Sequence, residues 1–174
     1  SAQNYHSEQI LAFAMAKVDL VSAITMTHVE EAIGIANAAA KLELPVVISF
    51  TVETDGNLPS GMSLKEAIRQ VDRYAKTQPI YYMINCAHPT HFADMLISGR
   101  EDGWTKRIIG IRANASPKSH AELDESTDLD RGDLDEFRNG HADLNKAFPH
   151  INVFGGCCGT DHEHILEIAK AISA

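Results

Sequence analysis

Apolar stretches of strand length alternate with helical patterns along the chain, and this alternation constrains the fold more than any other feature. The clearest strand, 44–52, is almost continuously apolar, which is typical of a parallel strand covered on both faces. Four further strands are predicted at 18–25, 80–86, 107–114 and 152–156. Strands that alternate with helices in this way form parallel β/α units. We therefore predict an α/β fold with five parallel strands.

Helical patterns occupy the segments before, between and after these strands. The predicted helices lie at 7–17, 29–40, 63–76, 90–98 and from Asp161 onward. Ser63 and Glu66 have the spacing of a capping box, and Thr25 or Thr27 is the expected N-cap of the helix at 29–40. The segment 119–145 is rich in Asp and Glu, so we expect a surface loop with one or two helical turns.

Length and charge exclude several classes of function. A chain of 174 residues predicts one domain, covering 1–174. The net charge of −9 argues against nucleic-acid partners and against attraction to anionic membranes. No apolar run reaches the length of a membrane span, and the N-terminus has no signal-peptide pattern, so we expect a cytoplasmic protein. Neither GxGxxG nor a P-loop is present, so dinucleotide and nucleotide binding lack their usual phosphate cradle.

The chain has three cysteines, and all of them follow predicted strands. Cys86 ends the strand at 80–86, while Cys157 and Cys158 follow the strand at 152–156. An odd count does not suit a disulfide framework, and a closed structural zinc site needs four ligands. A zinc site that leaves one position open needs three. The same strand ends carry polar residues that we predict to bind substrate, namely Thr25, Ser49, Thr51 and Asn85.

Neighbouring cysteines on a regular strand point to opposite faces, so both reach one ion only if the backbone turns. Gly155, Gly156 and Gly159 provide backbone freedom for such a turn. A cysteine thiol that binds zinc loses its proton, and a substrate thiol at the open position would lose its proton in the same way. This chemistry favours alkyl transfer to sulfur. Two alternatives stay open: buried structural cysteines, or a nucleophilic or redox cysteine assisted by His88 or His91.

Several motifs together resemble one known family. The hexapeptide Gly-Gly-Cys-Cys-Gly-Thr at 155–160, followed by His-Ile at 164–165, resembles the C-terminal signature of the homocysteine S-methyltransferases. That family includes betaine–homocysteine methyltransferase and the homocysteine domain of cobalamin-dependent methionine synthase. Asn-Cys at 85–86 resembles the family's other cysteine motif, and Ser-Phe-Thr at 49–51 is similar to its middle region. The resemblance runs over nearly the whole chain.

The resemblance implies a fold, a cofactor and a reaction. Family members are (β/α)8 barrels that hold zinc with three cysteines, so it implies Zn²⁺ bound by Cys86, Cys157 and Cys158, which serve as the catalytic centre. The homocysteine thiol would take the fourth position and accept a methyl group, giving methionine. The small-molecule methyl donor would be a betaine, S-methylmethionine, or a methylated corrinoid or folate.

The match covers the last five β/α units, so the resemblance implies the C-terminal five-strand portion of a TIM (β/α)8 barrel. The first three strands would be missing, and five strands cannot close a barrel of eight. We therefore expect either a missing N-terminal segment or association with another chain, including a second copy in a homo-oligomer.

One position departs from the family pattern. Homocysteine-binding members carry Glu-Thr at the end of the first strand seen here, whereas this chain has Ile24 before Thr25. An aliphatic side chain cannot pair with the ammonium group of an amino acid. This departure suggests another thiol or a selenol as acceptor. A further alternative is a non-catalytic half-barrel that binds a metal or a partner.

Overall fold

A computed structural model describes residues 1–173 and contains one sheet of five parallel strands. The strands are β1 (Val21–Met26), β2 (Val46–Phe50), β3 (Tyr81–Asn85), β4 (Ile108–Ala113) and β5 (Val153–Gly156). Each strand pairs in parallel with the strand before it, so the spatial order is the sequence order. Right-handed crossovers that always step in one direction place the connecting helices on one face of the sheet. The predicted α/β fold is confirmed, and this arrangement is that of an arc of a TIM barrel.

Seven α-helices accompany the strands within the described residues. They are α1 (Ala2–Met15), α2 (Val29–Ala40), α3 (Leu64–Tyr74), α4 (Pro89–Ser98), α5 (His120–Asp124), α6 (Leu134–Ala147) and α7 (His162–Ser173), and a short 3-10 helix spans Gly103–Arg107. Ser63 caps α3 as predicted, since its hydroxyl accepts a hydrogen bond from the Glu66 amide. The cap predicted for α2 was wrong, because its N-cap is His28, whose side chain makes no capping bond.

The prediction of a loop over 119–145 was wrong for much of that segment, which contains α5 and α6. Helix α6 buries Phe137, His141 and Leu144, which are spaced at i, i+4 and i+7 and therefore share one face. This buried face is narrow and has a histidine at its centre. The acidic residues around it in the sequence make its helical spacing hard to recognise. Phe137 and His141 are fully buried.

A partly buried polar network ties α3 to the start of β3. The Asp72 carboxylate accepts hydrogen bonds from the Tyr82 hydroxyl at 2.8 Å and from Arg107 Nη2 and Nε at 2.9 and 3.0 Å. Tyr82 is fully buried, so its hydroxyl depends on this partner. The network fixes the end of the sheet opposite the carboxyl ends of the strands.

The outer strands leave the sheet open on both sides. Strand β2 is buried throughout, whereas Ile24 on β1 is 44% exposed. The outer edges of β1 and β5 pair with no other strand of residues 1–173. Exposed apolar side chains lie on the flanking helices, at Tyr5 and Met15 on α1 and at Leu166 on α7. Across the described residues, no helix has the length and apolar character needed to cross a bilayer.

Candidate metal centre

The three cysteine sulfurs converge at the carboxyl end of the sheet. All three Sγ atoms lie within 4.8 Å of one another, and those of Cys86 and Cys158 are 3.6 Å apart. Two sulfurs bound to one tetrahedral zinc at about 2.3 Å would stand about 3.8 Å apart. The spacing and the all-sulfur donor set therefore fit a thiophilic ion such as zinc.

Backbone contacts hold Cys86 in an unusual conformation. Its φ of 58° lies in the left-handed region, which costs a non-glycine residue about 1–2 kcal/mol. Its carbonyl accepts hydrogen bonds from Thr51 Oγ1 at 3.3 Å and from His120 Nε2 at 2.5 Å. Its amide donates to the carbonyl of Arg112 on β4. These contacts turn the chain where β3 ends.

The two adjacent cysteines lie in a tight turn after β5. The Cys157 amide donates to the Ala113 carbonyl at 2.8 Å, and the Cys158 amide donates to Asn114 Oδ1 at 3.1 Å. Thr160 Oγ1 then donates to the Cys157 carbonyl at 2.7 Å. The turn brings both neighbouring thiols to Cys86.

The glycines around the pair have different roles, which corrects the expectation that all three supply backbone freedom. Only Gly159 has a positive φ, at 77°. Gly156 is needed for space instead, because an added Cβ would lie 2.1 Å from Thr160 Oγ1. A Cβ on Gly155 would meet only the Arg112 side chain at ordinary contact distance.

The cluster is arranged to hold negative charge on sulfur. The nearby thiol of Cys86, against the effect of burial, helps to lower the pKa of Cys157 to about 5. The Cys158 amide, the Cys158 thiol and the Asn85 side chain act in the same direction. The pKa of Cys86 is raised, because its proton is shared with Cys157 and because it is partly buried. A set of thiols that favours one thiolate suits the binding of a cation.

The polar residues predicted to bind substrate lie beside the cysteines, but three of them bond to one another, and Thr51 bonds to the Cys86 carbonyl. Asn85 Oδ1 accepts from the Thr25 amide at 2.8 Å and from Ser49 Oγ at 2.6 Å. Asn85 Nδ2 donates to Thr25 Oγ1 at 2.7 Å. Thr25 has a φ of 60° and lies where the register between β1 and β2 breaks. Contact of Thr25, Ser49, Thr51 and Asn85 with substrate stays a prediction.

His120 was not predicted as a site residue, because it lies in the segment predicted as a loop. Its Nε2 contacts the Cys86 carbonyl and its Nδ1 lies 3.1 Å from Glu53 Oε1. Burial lowers the pKa of His120, but the Cys86 carbonyl and Glu53 outweigh it, so the pKa is above its usual value. Ser119 and Glu122 form a complete capping box around this residue, and that motif was the available signal.

A cavity of about 220 Å³ opens beside the sulfurs. Cys86 and Cys158 form part of its lining, and the segment from His120 to Asp130 forms the facing wall. Leu123 and Leu129 give that wall apolar surface. The cavity therefore offers a small molecule direct access to the cysteine cluster.

The neighbouring histidines are engaged elsewhere. His88 caps α4 through Thr90, and His91 Nε2 donates to the Pro117 carbonyl at 2.7 Å. His164 is fully buried between Asp161 and the Arg131 carbonyl. No hydrogen bond among the described residues joins a histidine to a cysteine sulfur, so the arrangement gives the cysteine–histidine alternative no support.

The chain consists of parallel β/α units, and its thiol cluster lies at the carboxyl ends of their strands. These features place it among barrel-type β/α proteins with a sulfur-rich site. The sequence model of the family described as homocysteine S-methyltransferase matches residues 1–172. The chain belongs to this family, and the resemblance drawn from its motifs is confirmed.

One curated relative shows how much of a family member this chain represents. It is similar to homocysteine S-methyltransferase 3 of Arabidopsis thaliana, with 26% identity over 174 positions. The alignment covers 98% of this chain but 48% of the relative. The chain therefore spans about half the length of the relative that it matches.

Proposed function

We propose that this chain carries the thiol-activating centre of a zinc-dependent S-methyltransferase, which transfers a methyl group from a small donor to homocysteine and so forms methionine. The convergence of three sulfurs from the ends of β3 and β5 carries the proposal. Cys86, Cys157 and Cys158 would hold the zinc, and bound zinc supplies the Lewis acidity that keeps an acceptor thiol deprotonated at neutral pH.

The residues of the chain itself prepare this site. Asn85 and the Cys158 amide lie near Cys157 and lower the pKa of its thiol, which favours its anionic form. Thr51 and His120 both donate hydrogen bonds to the Cys86 carbonyl, where β3 ends. Residues of the segment 120–130 form one wall of the cavity where acceptor and donor would meet.

Metal content of the purified chain tests the zinc centre. We expect about one zinc per chain in the wild type, because three thiolates and one exchangeable ligand complete a tetrahedral site. Cys86→Ser, Cys157→Ser and Cys158→Ser should each lose most of it. His162→Ala, which removes an exposed imidazole outside the cluster, serves as the control. Full zinc retention in all three cysteine variants would contradict the proposal.

A second candidate function is a metal- or partner-binding half-barrel without activity of its own. Two observations favour it: the outer edges of β1 and β5 pair with no other strand of residues 1–173, and the chain spans about half of its relative. We propose that 1–174 is one partial barrel domain that lacks the first three strands.

Methyl transfer should be compared between this chain and a form extended by the sequence encoded upstream. Activity of the longer form alone would assign the chain as part of an enzyme, and zinc without activity in both would favour the second function.

The acceptor is tested at Ile24. This residue stands where the family pattern has a glutamate, and its side chain is 44% exposed, so a glutamate can be accommodated there. If homocysteine is the acceptor, Ile24→Glu should tighten its binding in calorimetry by supplying a partner for the ammonium group. Tighter binding of a small selenol or of a thiol without an ammonium group to the wild type would favour the alternative acceptor. A cytoplasmic location stays a prediction.

A further inference from the structure

His120 contacts the cysteine centre without being one of its sulfur ligands. One ring nitrogen donates to the Cys86 carbonyl at 2.5 Å, and the other lies 3.1 Å from the Glu53 carboxylate. Glu53 belongs to the loop after β2, so the imidazole joins three separate parts of the chain: that loop, the end of β3 and the start of α5.

The contact on Cys86 falls at a strained residue. A left-handed φ at a cysteine persists only where the surroundings hold it, and the Cys86 carbonyl has two side-chain partners, His120 and Thr51. The His120 contact is the shorter of the two. Removing it would let the peptide after Cys86 rotate, and the direction of the sulfur would change with it.

The same contact fastens the cavity wall. Helix α5 has five residues and buries none of them, so apolar packing does not hold it in place. Polar contacts must therefore hold α5 in its position along the cavity. The contacts of His120 link α5 to the cysteine centre.

We propose that His120, oriented by Glu53, is a positioning residue: it holds Cys86 so that its sulfur faces the other two cysteines, and it fastens α5 over the cavity. This inference rests on the proposed function for the identity of the metal. The part of the inference that concerns the orientation of Cys86 does not depend on the metal and is testable in metal-free protein.

The test compares His120→Ala and His120→Gln with the wild type in two measurements. The first is zinc affinity, measured by competition with a chromophoric chelator. The second is the rate at which iodoacetamide modifies Cys86 in the metal-free protein, resolved for each cysteine by mass spectrometry. His120→Ala should weaken zinc binding about 10–100-fold, the range typical for partners that orient metal ligands. It should also raise the alkylation rate of Cys86 several-fold. His120→Gln should bring both the zinc affinity and the Cys86 alkylation rate most of the way back to wild-type values, because its amide can still donate to the Cys86 carbonyl.

His91→Ala is the matched control, because it also removes an imidazole that donates to a backbone carbonyl. That carbonyl belongs to Pro117, which lies just before α5. It should leave zinc affinity and Cys86 alkylation near wild-type values. The inference is overturned if His120→Ala changes neither measurement, or if His91→Ala changes both equally. If the wild type takes up no zinc, the proposed function fails, and the alkylation rates alone decide the role of His120.

Discussion

We expect Gly156→Ala to destabilise the turn that carries Cys157 and Cys158, whereas Gly155→Ala should leave this turn intact. A Cβ on residue 156 would lie 2.1 Å from Thr160 Oγ1 and 2.7 Å from Thr160 Cβ. Ordinary contacts between carbon atoms are about 3.5–4.0 Å, so Thr160 must move by about 1 Å. That movement breaks the hydrogen bond from Thr160 to the Cys157 carbonyl.

The size of the effect follows from these contacts. Overpacking costs about 1–3 kcal/mol, and the lost hydrogen bond adds about 1 kcal/mol. We therefore expect Gly156→Ala to lower the free energy of unfolding by about 2–4 kcal/mol, measured by urea denaturation of the metal-free protein. Zinc affinity should fall as well, because the Cys157 carbonyl belongs to the turn that carries two of the three sulfurs.

Gly155→Ala provides the control on the same strand. Its Cβ would lie 3.5 Å from Arg112 Cγ, so we expect a change within about 0.5 kcal/mol. Adding Thr160→Gly to Gly156→Ala removes the clashing side chain, and the double variant should then cost less than the sum of the single variants. Equal stability of Gly155→Ala and Gly156→Ala would refute the reasoning.

Three further predictions concern stability. Asp72→Ala should lower the free energy of unfolding by about 2–4 kcal/mol in urea denaturation, because it leaves the buried Tyr82 hydroxyl and Arg107 without their carboxylate; the exposed Asp94→Ala is the control and should change little. Burial lowers the pKa of His141, so the unfolded chain binds a proton more readily than the folded chain. Stability should therefore decrease as the pH falls below about 6.5, and His141→Gln should reduce this decrease in urea titrations at several pH values; an unchanged slope would contradict it. Finally, a chelator should lower the melting temperature of the zinc-loaded wild type and leave a variant without any cysteine unaffected.

The strands were predictable because burial on both faces leaves little freedom in composition. The segment 44–52 is apolar enough to indicate a covered parallel strand, and β2 within it is fully buried. The strand ends then placed Cys86 and the pair at 157–158 at one edge of the sheet. What the sequence did not show was the turn geometry, which depends on the left-handed Cys86 and on the space left by Gly156.

Helix α6 and His120 were missed for a different reason. Acidic residues dominate the composition of 119–145, while the information lies in spacing: Phe137, His141 and Leu144 repeat at helical intervals. The partner of His120 is Cys86, which is 34 positions away. A contact over that separation depends on how the β/α units assemble, and no local pattern reports it.

The separation between Cys86 and Cys158 has a consequence for the folding of the chain. These residues are 72 positions apart, and the loop between them contains α4, β4, α5, α6 and β5. An ion bound to both residues would act as a cross-link. By the relation used for disulfides, closing a loop of this length lowers the conformational entropy of the unfolded chain, which corresponds to about 4 kcal/mol of free energy. Since the outer edges of the sheet pair with no other strand of residues 1–173, the metal would then add a cross-link to the C-terminal half, and the supply of the ion would determine how much of the protein survives proteolysis.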